Sequence, residues 1–269
     1  MARLKSLAAR TWWGFRGIAI GLAGAAILYG AWLGADRLIR HPSLSLRQIE
    51  VTGCRALTPE AVTAASGLAV GEPLLYVDLR LAQRRVLGHP WVSGAVVTRR
   101  LPDTVSIAVE ERSPMAAVPG ADYSVVDREG VILWKSAAYP GKLPLVTGVS
   151  GGGEPGQRVS GALRPLRVLE CVSASGFLGA DRVSEVAEAG DGRVLVSLVG
   201  SGTVLIMTPQ GAREEIRRLG ALMEADKFDA QAAGYDLRFA GRVVQLPDRE
   251  NLGTGGPTDR GGRYRHGQG

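Results

Sequence analysis

Apolar and polar positions fall into three textures along this chain. From Gly17 to Ala35 the run GIAIGLAGAAILYGAWLGA is uncharged, bounded by Arg16 and Asp36. A second texture follows, in which strand-like alternation and helix-like spacing take turns. Ile49-Glu50-Val51 predicts a strand ended by Thr52-Gly53. Thr58 then offers a helix N-cap, Pro59 a first helical residue, Ala61, Val62 and Ala65 an inward face, and Gly67 a stop. Leu74 to Val77 leads into Asp78, a second N-cap, and a helix carrying Leu79, Ala82 and Val86 on one face before Gly88 and Pro90 end it. Val92 to Arg100 predicts a strand, Leu101-Pro102-Asp103 a turn, and Thr104 to Glu110 a strand in which Val105, Ile107 and Val109 alternate with polar or small residues. Strand, helix, helix, strand, strand is the order of a small α+β unit with two helices on one face of a three-stranded sheet.

From Pro114 the third texture is short strands punctuated by glycine. Tyr123 to Asp127 and Val131 to Trp134 flank Arg128-Glu129-Gly130, and Val194 to Val199 and Thr203 to Met207 flank Gly200-Ser201-Gly202, so both pairs predict hairpins. Between them lie a glycine-rich loop, Gly148 to Gly156, and a helix from Pro165 to Ser175 with Leu166, Leu169 and Val172 inward. A further helix, Arg213 to Ala225, places Ile216, Leu219 and Met223 on one face and acids near its start, where the helix dipole favours them. Tyr235 to Phe239, a bend at Gly241, and Val243 to Leu246 complete a mainly antiparallel β domain with two or more helices. The fold class expected is α+β, and the residues after Pro247 are expected to be disordered.

The apolar run changes this picture by giving the ectodomain an address. As a helix at about 1.5 Å per residue it approaches the roughly 30 Å of a hydrocarbon core. Trp12, Trp13 and Phe15 at one end and Tyr29 and Trp32 towards the other suit the two interfaces, and Arg3, Lys5, Arg10 and Arg16 hold the N-terminus in the cytoplasm. The expected organisation is a cytoplasmic tail (1–16), a transmembrane helix (17–37), a juxtamembrane linker (38–43), a first domain (44–113), a β domain (114–247) and a disordered tail (248–269). A cleaved signal peptide is the competing reading, because Ala23-Gly24-Ala25 resembles a cleavage site, but the apolar core before it would be short and the run continues past it. Gly17-x-x-x-Gly21 and Gly30-x-x-x-Gly34 would permit close approach of another helix, although glycine is common in membrane helices generally.

Composition narrows the function. The net charge is +6, and four of those charges belong to the basic residues of the tail, so the ectodomain carries no strong excess and no basic run interleaved with aromatics that would suit nucleic acid. Cys54 and Cys171 are far apart, in different predicted domains, and are expected to be buried, unpaired thiols. The three histidines are His41, His89 and His266, so the predicted β domain has none. Metal-protease, paired-cysteine and phosphate-loop motifs are absent. Gly148-Val149-Ser150-Gly151-Gly152 matches G-x-S-x-G, but Gly153, Glu154, Pro155 and Gly156 follow where a nucleophile elbow requires a helix. No catalytic residue, metal ligand or cofactor is expected.

The segment His89 to Ala116, HPWVSGAVVTRRLPDTVSIAVEERSPMA, resembles the end of the POTRA domain in the FtsQ/DivIB cell-division family. The resemblance rests on His-Pro-Trp-Val at 89–92, Pro102-Asp103 in the hairpin, and Glu111-Arg112 with Pro114 and Ala116. Val126-Asp127 with Gly130, Leu143-Pro144 with Gly148, and Asp236-Leu237-Arg238-Phe239 are similar to landmarks of that family's β domain. Met207-Thr208-Pro209 departs from the family's usual Leu-Gly pair, and no aromatic follows Phe239 before Pro247. The resemblance implies a single-pass, non-enzymatic inner-membrane protein with a periplasmic C-terminal region, enriched at the division septum. Such proteins recruit and link membrane-anchored partners, including the coiled-coil proteins FtsB and FtsL, FtsK and other divisome members, which is compatible with a part in controlling septal cell-wall synthesis. No nucleic acid and no small-molecule substrate is implied. The family's last strands receive FtsB, which carries over to Arg238, Phe239, Gly241, Val243 and Gln245, and a free strand edge accepts a partner strand through main-chain hydrogen bonds. Two other classes of function stay open: a POTRA-bearing accessory protein of envelope transport or outer-membrane assembly, and a membrane-tethered hydrolase using Ser150.

Overall fold

A computed structural model describes residues 21–34, 36–37, 44–229 and 231–246. Residues 21–34 and 36–37 are helical. The expected membrane helix includes residues 17–20 and 35, which lie outside the described residues, as do the cytoplasmic tail, the linker 38–43 and the tail expected to be disordered. Among the described residues no helix is long and apolar enough to cross a membrane.

The rest of the chain forms two compact units, the first ending at Glu111 and the second comprising His89–Trp91 and everything from Arg112. In the first unit, β1 (Gln48–Thr52), α1 (Pro59–Ser66), α2 (Leu79–Leu87), β2 (Val92–Arg100) and β3 (Thr104–Glu111) follow the expected order. The sheet order is β1-β3-β2, with β1 parallel to β3 and β2 antiparallel to it. Local chemistry sets the helix limits. Thr58 accepts a hydrogen bond from the Ala61 N–H, Asp78 accepts one from the Leu81 N–H, and Gly67 and Gly88 close the two helices. Each such N-cap contributes about 1 kcal/mol. The turn before β3 has a cis Leu101–Pro102 bond.

The core of this unit gathers Val62 of α1, Ala82 and Val86 of α2, and Val105 and Ile107 of β3, with Leu46 and Leu74 fully buried beside them. At the far end of β3, Glu111 accepts the N–H groups of Arg55, Ala56 and Leu57 at 2.8–3.0 Å. Burial works to raise its carboxyl, but those three donors and the neighbouring Arg55 outweigh it and hold the group below the usual carboxylate range.

The second unit is built on one nine-stranded sheet. Its strands are β4 (Ala116–Val118), β5 (Tyr123–Val126), β6 (Ile132–Ser136), β7 (Leu145–Thr147), β8 (Val183–Glu188), β9 (Val194–Leu198), β10 (Val204–Met207), β11 (Gly234–Asp236) and β12 (Val244–Leu246). They lie in the order β12-β11-β10-β9-β8-β7-β4-β5-β6. Five neighbouring pairs are antiparallel and three parallel, so the sheet is mixed with an antiparallel majority. Helices α3 (Leu163–Ser173) and α4 (Ala212–Glu224) pack on each other, and α3 packs on β8 and β9. Leu166, Leu169 and Val172 are fully buried, as expected, with Ile216 and Leu219 in the same core.

Both expected hairpins are present as β5–β6 and β9–β10. The central strands β4, β7 and β8 have no counterpart among the predicted elements. The cysteines are unpaired, as expected, but they are half-buried rather than buried. Burial pushes both thiols up, so neither is poised as a nucleophile.

Candidate partner-binding edge of the second sheet

The two ends of the nine-stranded sheet are finished differently. At the β6 end the loop 156–159 straps the start of the strand. The Ile132 N–H donates to the Gln157 carbonyl, the Gly156 N–H to Ile132, and the Val159 N–H to Gly130, each at 2.8 Å. At the other end β12 pairs with β11 on one side, and among the described residues no strand pairs with its other side. An unpaired edge is a template for another strand.

The hydrogen-bond phase of the neighbouring strands identifies which groups that edge offers. The Val204 N–H donates to the Ala233 carbonyl and the Leu237 N–H to the Ile206 carbonyl, so residues 233, 235 and 237 turn their main-chain groups toward β10. Successive residues of a strand point their N–H and C=O in opposite directions. Gly234 and Asp236 therefore face β12, where they pair with Leu246 and Val244. It follows that Gln245 turns its N–H and C=O outward, and Val243, on the same phase, approaches the strand from that side.

Side chains from α4 and β11 hold this edge in place. Tyr235, 2% exposed, stacks on Phe228 at 5.1 Å, and its hydroxyl accepts the Asp229 N–H and donates to the Asp229 carbonyl. Gly234 lies so close to β10 that a Cβ there would collide with the Val204 carbonyl oxygen. At the start of α4, buried Glu215 accepts the N–H and hydroxyl of Thr208, and one turn later Arg218 donates to the Leu237 carbonyl at 2.5 Å.

The five residues expected to meet a partner have different roles here. The Arg238 guanidinium grips Asp236 with bonds of 2.9 and 2.7 Å, and its own N–H donates to the same carboxylate. Burial works to raise the Asp236 carboxyl, but Arg238 outweighs it, and the carboxyl lies below its usual range while the guanidinium is raised. Arg238 thus braces the exit from β11. Phe239 is exposed at 41%, with the Arg242 guanidinium 5.2 Å from its ring centroid and that of Arg238 at 6.0 Å. Gly241, at φ +74°, makes the reversal into β12 in a backbone region that side chains disfavour. Val243 packs partly on the core, and Gln245 is exposed. Sequence reasoning missed Arg242 and Arg218; only the spacing of Arg242 from Phe239 gave any signal of the first.

Ser150 is exposed in a loop with no helix after it until residue 160, and no cluster of metal-ligating side chains is present among the described residues.

Comparison with known proteins gives a consistent picture. The sequence profile described as "POTRA domain, FtsQ-type" matches residues 44–112. A "Cell division protein FtsQ" of Streptomyces bingchenggensis is 30% identical over 224 residues, covering 80% of this chain and 81% of the relative. A protein of the same description from Geobacter is 28% identical over 236 residues, covering 83% and 85%. One from Caulobacter vibrioides is 37% identical over 118 residues, covering 43% and 39%.

Proposed function

The chain belongs to the FtsQ family of cell-division proteins, and from that premise we propose that it is a non-enzymatic scaffold of the division machinery. It is held in the inner membrane by a transmembrane helix over 17–37 with its N-terminus in the cytoplasm and its two domains in the periplasm. There it recruits and links membrane-anchored partners at the septum: FtsB- and FtsL-like coiled-coil proteins and FtsK. Tethering raises the effective concentration of partners anchored in the same membrane.

The observation that carries this reading is that, among the described residues, β12 pairs on one side alone. With the other end of the nine-stranded sheet strapped by its own loop, this side offers a place for one more strand. Main-chain groups of Gln245 supply affinity, and Phe239 with Arg242 supplies an adjacent apolar and cationic contact. Capture of tagged FtsB- and FtsL-like proteins by the full chain, with and without residues 244–246, tests it. Undiminished capture after the deletion overturns the edge as the binding site, and a fluorescent fusion spread evenly over the envelope throughout the cell cycle overturns the septal role.

A further inference from the structure

The first unit places large apolar side chains at one end, and that end is where the chain arrives from its N-terminal helix. β1 runs parallel to β3, with Gln48 opposite Thr104, so the entry to β1 and the β2–β3 turn share an end. The Arg47 N–H donates to the Asp103 carbonyl, the Leu46 N–H to Glu72, and the Gly71 N–H to Leu46. Arg99 fixes the next segment by donating to the carbonyls of Leu74 at 2.8 Å and Val77 at 2.9 Å. Three stretches, 45–47, 70–77 and 101–103, are thus joined side by side. From them project Val70 at 68% exposure, Leu75 at 40%, Tyr76 at 57% and Leu101 at 66%.

Four large apolar side chains exposed together at one end of so small a unit form a surface suited to burial against an apolar layer. The Tyr76 hydroxyl donates to Asp36 at 3.2 Å, in the helical turn that ends the apolar run. Only six residues, 38–43, separate Arg37 from Leu44, a reach of at most about 25 Å even when extended. Whatever surface the run emerges from is therefore within reach of these side chains.

We propose that Val70, Leu75, Tyr76 and Leu101 insert into the interfacial layer of the bilayer, so that the first unit rests on the membrane by this end. The inference rests on the membrane-anchored reading of the apolar run. Tyrosine suits the headgroup level, and aliphatic tips gain by leaving water there. The docked end sets the height of β1 and β3 above the membrane. Leu87 closes α2, which starts just after Val77 and carries the chain about 12 Å along its axis, so it serves as the reference position away from the docked end.

The test uses the full chain in vesicles of phosphatidylethanolamine and phosphatidylglycerol. A fluorescent amino acid replaces Leu101 in one preparation and Leu87 in another, with nitroxide-labelled lipid as quencher. The expected result is quenching at 101 at least about twofold stronger than at 87, reduced to the level at 87 by adding Leu75→Asp. Circular dichroism of each variant verifies the fold, and amide exchange of segments 70–76 and 99–103 in the unlabelled chain, slower in vesicles than in detergent, provides a second readout. Equal quenching at 101 and 87 in a chain that floats with the vesicles overturns the docking and leaves the anchor standing. A chain that does not float with them overturns the anchor, and the docking falls with it.

Discussion

Arg112 Nη1 lies 2.5 Å from Asp127 Oδ2, and the Asp127 carboxylate is almost wholly enclosed. The other Asp127 oxygen accepts the N–H groups of Glu129 and Val131 and so shapes the β5–β6 turn. Both members belong to segments that resemble family landmarks, and the structure gives each landmark a task. Glu111 fastens the loop 55–57 of the first unit, and Arg112, the next residue, neutralises a buried charge in the second.

Arg112→Met leaves the enclosed Asp127 carboxylate without its guanidinium partner. The expected loss is about 3 kcal/mol, because removing one partner of a buried pair strands the other. Urea unfolding of the chain from residue 44 onward measures it. Adding Asp127→Asn, which keeps an acceptor for the turn without the charge, recovers part of the loss. A single variant as stable as the parent would mean that solvent reaches this carboxylate.

Acid sensitivity follows from Glu111 and Asp236. Both carboxyls are lower in the folded chain than their ordinary values, so their ionised forms favour the fold. That contribution is complete above the unfolded range near about pH 4 and is lost as pH falls through the folded values. Glu111→Gln is expected to lower stability at neutral pH and to flatten the acid limb of a stability-against-pH curve. An acid limb as steep as the parent's would assign the sensitivity elsewhere.

Gly234→Ala places a methyl group against the Val204 carbonyl and near Leu246. Overpacking of this kind costs about 1–3 kcal/mol, and here it falls on the strand that joins β12 to the sheet. Amide exchange in 244–246 is expected to accelerate and partner capture to weaken. Gly190→Ala, where a Cβ meets nothing within 4 Å, serves as the control.

What the sequence revealed and what it hid divides along local and non-local chemistry. Thr58, Pro59 and Gly67 announce α1 because capping is decided within a turn of chain. Strands β4 and β7 are three residues each, too short to show a period, and they become strands only because β5 and β8 flank them. In β8 a register shift between Val183 and Glu185 breaks the alternation that would have marked it. The site divides in the same way. Phe239 and the turn at Gly241 are visible as residue types, whereas the outward main-chain groups of Gln245 depend on the phase of hydrogen bonds passed across from β10. Arg238 reads as a contact residue in the sequence because its partner, Asp236, is a charge two positions away whose burial no local pattern records.

That phase yields a discriminating pair of substitutions in β12. Proline at 245 deletes an N–H that faces the open side and none that pairs with β11, whereas proline at 244 deletes one that does. Gln245→Pro is therefore expected to keep the thermal stability of the parent and to bind FtsB-like partners at least about tenfold more weakly, as the loss of an edge hydrogen bond and its neighbours allows. Val244→Pro is expected to lower the Tm, and Gln245→Ala to change neither property, since strand addition engages main-chain groups rather than the side chain. Capture by isothermal titration and unfolding by differential scanning fluorimetry separate the three. If Gln245→Ala binds as poorly as Gln245→Pro, recognition runs through the side chain and strand addition is wrong; if Gln245→Pro binds as well as the parent, the partner does not use this edge.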